Sequence, residues 1–267
     1  MKTGGKSKMR YIVLLIILLL IIVPVVFLTI WAKKNQKIMQ KTIDDSMQIL
    51  SKQFDVKELD AGQYSEIRVY GLMKFNVRQY HIEEIGNLSV MTTNMGFMQM
   101  ASFVITPFER NLPLLSMDYM YFPGKRKTYT EVYDLVADKT ASEYQQVLSV
   151  MNGLYETGKP LADMPRGELP WYDDLLTVKL YKSGSVKQDP EIHTLFCDAV
   201  KRYADAAGSL SPLSDDERAV KKQITQEYSD NLIEKGGVST DVFKKALGPE
   251  TTKDFFDRVF FGNSANA

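Results

Sequence analysis

From Tyr11 to Trp31 the chain runs 21 residues without one charged side chain. Wound as a helix, such a run measures about 30 Å, the thickness of a bilayer's hydrocarbon core. This divides the chain into a basic tail (1–10), a transmembrane helix (11–31), a linker (32–42) and a folded domain (43–264). Tyr11 and Trp31 sit where amphipathic rings favour the headgroup interface, and Lys33 and Lys34 form a polar stop. Pro24 is a candidate kink. A cleaved signal peptide is the rival reading, because Lys2, Lys6, Lys8 and Arg10 form a basic stretch ahead of the run. Against it, the run exceeds the usual ~7–15-residue apolar core of such signals, and Leu28 to Ala32 lacks two small residues at cleavage spacing. A single N-terminal anchor in a cell membrane is therefore expected. Four basic residues precede the span and four follow it (Lys33, Lys34, Lys37 and Lys41), so the positive-inside rule is nearly balanced. The α-amino group tips it slightly towards an outside domain; the side stays open.

Beyond residue 41 the chain carries 25 basic against 33 acidic residues. An acidic domain excludes a nucleic-acid binder, whose affinity rests on clustered Lys and Arg neutralising phosphates. One cysteine, Cys197, excludes an intrachain disulfide framework. With only His81 and His193 beside it, a Cys/His metal site is not expected. Both histidines read as capping or surface residues, and Cys197 as a buried inert thiol.

Ile43, Met47, Leu50 and Phe54 recur at helical spacing and predict an amphipathic helix over 44–54. The period then shortens to that of strands: 66–70, 74–82, 88–93, 97–106, 114–122 and 128–136, separated by Gly-, Asn- and Pro-rich turns. Connections this short join antiparallel neighbours, so these strands form a meander. Helices follow. Ser142-Glu-Tyr-Gln145 and Ser214-Asp-Asp-Glu217 read as capping boxes, Pro190 as a first-turn proline and Gly248-Pro249 as a break between two short closing helices. Residues 175–181 supply one further strand. The order predicts an α+β fold in which helical layers sandwich an antiparallel sheet (α/β/α), preceded by one transmembrane helix.

No Gly-rich phosphate cradle, Gly-x-Ser-x-Gly elbow or His-Glu-x-x-His helix occurs. Met91, Met95, Met98, Met100, Met117 and Met120 crowd neighbouring segments. They read either as core or as the lining of a pocket for a large flat apolar ligand, since unbranched thioethers conform to irregular surfaces. Asp118 is the most informative residue, set among large apolar side chains in Leu114 to Phe122. Period-2 alternation places it on one face with Ser116 and Met120. There it pairs with a base, keeps a proton at raised pKa, or lies at a watered sheet edge.

Phe103-Val-Ile-Thr-Pro107, Asn111-Leu-Pro through Asp118 to Pro123-Gly124, and Tyr133-Asp-Leu135 occur in an order that resembles the central sheet of the ferredoxin-dependent bilin reductases. Glu168-Leu-Pro-Trp-Tyr-Asp173 is similar to that family's Leu-Pro-x-Trp segment. Gln226 to Tyr228, Val242 to Gly248 and Phe255 to Phe261 are similar to its closing helices. The resemblance spans residues 65–262 and marks the chain as a divergent, membrane-anchored relative.

It implies an oxidoreductase acting on CH–CH groups that holds a linear tetrapyrrole such as biliverdin between sheet and C-terminal helices. No cofactor is expected to be bound; electrons come singly from ferredoxin or a similar donor, and buried side chains deliver protons. Asp118 falls on the family's catalytic Asp. Ser102 stands where family members carry His or Asn facing the bilin, and Val90 where one branch carries Glu. Met100 and Met120 join the expected substrate contacts. Asp198 or Asp205 is a candidate for a second, helix-borne Asp, and Lys125, Arg126 and Lys221 are candidate partners of the bilin propionates, with Lys127, Arg218 and Lys222 in the same basic clusters. The alternatives are a non-enzymatic, membrane-tethered binding protein for a tetrapyrrole or other apolar ligand, and a structural protein without ligand. Partners expected are the bilin, a ferredoxin-like donor and the lipid bilayer.

Overall fold

A computed structural model describes residues 4–71, 73–237 and 240–264. Residues 1–3 of the basic tail lie outside the described residues, as do the side chains up to residue 10.

The chain opens with one helix, α1 (Gly4–Ser51), of 48 residues, about 72 Å long. It absorbs the expected transmembrane helix, linker and amphipathic helix without a break; residues 32–42 are helical, and the linker assignment is corrected. Every large apolar side chain described from Tyr11 to Phe27 is at least 45 % exposed. Cover begins at Leu28 and then follows one stripe: Ala32, Asn35, Met39, Ile43, Ser46 and Leu50 are buried. That three-to-four-residue spacing is the face which packs on the domain.

Among the described residues the domain is built on nine antiparallel strands, β1 (Val56–Leu59), β2 (Glu66–Val69), β3 (Met73–Ile82), β4 (Gly86–Asn94), β5 (Gln99–Pro107), β6 (Leu114–Phe122), β7 (Lys125–Tyr133), β8 (Ala162–Asp163) and β9 (Leu176–Gly184). Their order is β1-β3-β4-β5-β6-β7-β9-β8, with β2 also pairing with β3. The short β1 and β8 escape sequence reading. The meander is as expected, with Phe97 in the β4–β5 turn rather than in a strand.

Alternation sends β6 residues to two cores. Leu115, Met117, Tyr119 and Tyr121 join a core under α1, α2 (Ser142–Asn152) and α4 (Asp189–Ser209). Leu114 and Met120 join a second core under α5 (Asp215–Lys235), α6 (Thr240–Leu247), α7 (Pro249–Phe255) and a π-helical turn at Phe256–Phe260; α3 is the short Leu154–Thr157. The α/β/α sandwich is thus the architecture. The Ser214 box forms, its hydroxyl accepting from the Glu217 amide while the Glu217 carboxylate accepts from the Ser214 amide at 2.8 Å. The Ser142 box does not: the α2 cap is Ala141, and Gln145 instead donates to the Lys139 carbonyl.

Candidate active site

The sheet face beneath α5–α7 reads as a grid. One ladder row runs Met91, Ser102, Asp118, Tyr129, Tyr181; the next runs Val104, Ser116, Glu131; the row on the other side runs Met100, Met120, Lys127. Ser116, Asp118 and Met120 keep partial exposure while their neighbours on β6 are buried, because they face a cavity between sheet and helices.

That cavity has a volume of about 240 Å³. Met100, Ser102 and Asp118 form its floor, with Tyr228, Phe243 and Phe256 opposite. A second cavity of about 460 Å³ adjoins it, bordered by Lys125, Lys127 and the loop from Met164 to Pro170. Tyr129, Glu131 and Tyr172 line both. Together they reach the size of small-molecule sites, roughly 300–1,000 Å³.

Asp118 lines the first cavity, and burial there pushes its carboxyl up to about 6. Ser102, directly across the ladder, works against this by hydrogen bonding, and the nearby Glu131 charge adds to it. Glu131 accepts from the Tyr133 and Tyr181 hydroxyls, each at 2.6 Å. Burial and then the Glu131 and Asp118 charges push the Tyr172 hydroxyl up to about 12. Rings continue this wall: Tyr133 lies 5.3 Å from Tyr228 and 5.9 Å from Tyr172 between centroids. The arrangement offers an aromatic and thioether slot, a carboxylic acid that can carry a proton near neutral pH, and a hydrogen-bonded carboxylate one row away.

The structure brings Asp118, Ser102, Met100 and Met120 together in the first cavity and places Lys125 at the second. Four candidates lie elsewhere. Arg126 is on the opposite sheet face, paired with Asp189 at 2.6 Å and stacked 4.0 Å from the Tyr121 centroid. Lys221 is fully buried on the inner face of α5, donating to the Leu112 and Leu135 carbonyls at 2.6 and 2.7 Å, and burial lowers its ammonium to about 7. Asp198 accepts from Thr157 and Arg202, and Asp205 from Gln53 and Lys201, both on α4 in the other helical layer. Val90 belongs to that same far core. Of the six clustered methionines, Met117 packs under α1 and α4, Met91 is buried near the β3 side, and only Met100 and Met120 line the cavity.

Sequence reading missed Glu131, Tyr129, Tyr172 and the role of Tyr228. Glu131 was within reach: once Asp118 is opposite Tyr129, period 2 along β7 puts Lys127, Tyr129, Glu131 and Tyr133 on the cavity face. Tyr172 and Tyr228 arrive from a loop and a distant helix, which no local pattern places.

No protein-family model and no curated protein sequence matches the chain. Among solved structures, the chain is similar to phytochromobilin synthase from tomato in complex with biliverdin. The TM-score is 0.69 at 14% identity, covering 85% of this chain and 83% of that one. The chain thus shares the fold of that protein at 14% sequence identity.

Proposed function

We propose that the chain binds an open-chain tetrapyrrole in the paired cavities and reduces it with externally supplied single electrons, Asp118 giving a proton. The observation that carries this reading is the placement of the Asp118 carboxyl, facing an apolar slot walled by the closing helices. The shared fold of a biliverdin-bound protein supports the substrate class.

Reduction of one double bond needs two electrons and two protons. A ferredoxin-like donor supplies the electrons one at a time. Asp118 gives one proton to the reduced π-system, is left as a carboxylate beside Ser102, and is reprotonated from water, which also supplies the second proton. Glu131, close by and negative, favours the protonated form of Asp118 before transfer. Lys125 and Lys127 offer the charge that bilin propionates require. The exposed apolar half of α1, with a mean hydropathy of 3.2, anchors the domain to a membrane.

The test uses the full chain in detergent. Biliverdin is expected to change its visible absorption on binding. With reduced ferredoxin, Asp118→Asn is expected to keep that spectrum but lower turnover by about 10²–10⁴-fold, the usual contribution of a positioned acid. A spectral change without turnover in the parent chain would leave the non-enzymatic binding protein, which Ser102 favours because a hydroxyl cannot become a cation. No spectral change with any bilin would remove both.

A further inference from the structure

The strands place one end of the sheet beside the apolar half of α1. Asn94 pairs with Gln99, Phe122 with Lys125, and Val69 with Met73, so the β4–β5, β6–β7 and β2–β3 turns all lie at that end. Asn35 pins α1 there, donating to Gln99 at 2.8 Å and accepting from Arg126 at 3.0 Å. The β4–β5 turn reaches past this point: Asn94 and Gly96 share a cleft with Val25, Leu28, Thr29 and Ala32. Val25 lies six residues inside the run that ends at Trp31, about 9 Å along the helix. The run has 21 residues and a bilayer core takes about 20, so the lipid boundary has no room to recede from the turn.

What the end presents suits that position. Phe97 is 56 % and Tyr70 61 % exposed. Lys33 lines the cleft beside Gly96, Lys34 and Lys37 follow it on α1, and Lys125 and Lys127 open β7 at the same sheet end; none has an ion-pair partner among the described residues. Asp163, beside this end on β8, already pairs with Lys182. Two of these cations, Lys125 and Lys127, belong to residues 42–267, which carry 33 acidic against 25 basic residues; the other three lie just before that stretch on α1.

We propose that this end of the sheet is a lipid-docking surface. Phe97 and Tyr70 enter the headgroup–acyl boundary, and the five lysines meet anionic headgroups. The Lys125 side of the second cavity then lies against the bilayer, where an apolar ligand dissolved in lipid can reach it. This rests on reading α1 as the membrane anchor, and the experiment separates the two.

Full-length chain carrying Cys197→Ser is labelled with an environment-sensitive fluorophore at Phe97→Cys, Tyr70→Cys, Leu20→Cys or Glu83→Cys, the last at the opposite sheet end. Each is placed in nanodiscs of phosphatidylcholine, with or without phosphatidylglycerol, containing doxyl-labelled lipid. Labels at 97 and 70 are expected to be quenched several-fold more than the label at 83, and more so with phosphatidylglycerol. Lys125→Glu with Lys127→Glu should lower that gain. Quenching at 20 with none at 97 and 70 overturns docking and leaves the anchor standing. Absence of quenching at 20 overturns the anchor and docking together.

Discussion

Asp118 carries an energetic cost that pH reveals. Its folded-state value, about 6, lies above the ordinary 3.8 because burial disfavours the charged form. Below 3.8 both folded and unfolded chains hold the proton, and nothing is lost; as pH rises through 6 the folded state must ionise in its pocket, and the penalty is then complete. That shift corresponds to roughly 3 kcal/mol at most, less where cavity water solvates the carboxylate. Asp118→Asn is therefore expected to stabilise the protein at pH 8 by about 1–3 kcal/mol and to be nearly neutral at pH 3.5, checked by urea unfolding at both. An equal effect at the two pH values would contradict the raised acid. Glu131→Gln removes a nearby negative charge, so the Asp118 carboxyl should titrate at lower pH, read by its infrared band.

Along β7 the residue spacing decides chemistry more sharply than composition does. Lys125, Arg126 and Lys127 form one basic cluster in the sequence, yet successive strand residues point to opposite faces. Lys125 and Lys127 reach the second cavity, while Arg126 is locked with Asp189 and Asn35 beneath α1 and α4. That buried ion pair ties the start of α4 to the sheet. Asp189→Ala leaves the guanidinium without its counter-charge and is expected to cost about 3–5 kcal/mol, measured by chemical denaturation. Arg126→Lys should also weaken the tie, because the guanidinium fork donates to the Phe122 carbonyl and to Asn35 as well as to Asp189. The α5 helix shows the same limit of reading: Lys221 lies in a run of polar residues that looks solvated, and folds inward to cap two carbonyls.

At the scale of the molecule, α1 runs from exposed apolar turns into the core as one unbroken helix. A chain beginning at Thr42 loses Met39 from the core, the Met39 carbonyl that accepts from Tyr119 at 2.9 Å, and Asn35 between Gln99 and Arg126. Against a chain beginning at Trp31 it is expected to be roughly 3–5 kcal/mol less stable by urea unfolding, from lost apolar burial and orphaned polar groups. By itself the sequence determined what local periodicity and segment length encode: the membrane-length run, the antiparallel meander, the helix starts at Pro190 and Ser214, and Asp118 sharing a face with Met120. Only the tertiary structure decided that the linker is helix, that Arg126 and Lys221 are consumed inside the protein, and that Tyr172 and Tyr228 meet Glu131 over the cavity. Those outcomes depend on which distant surfaces come into contact, and burial by a remote partner leaves no trace in the spacing of neighbours along the chain.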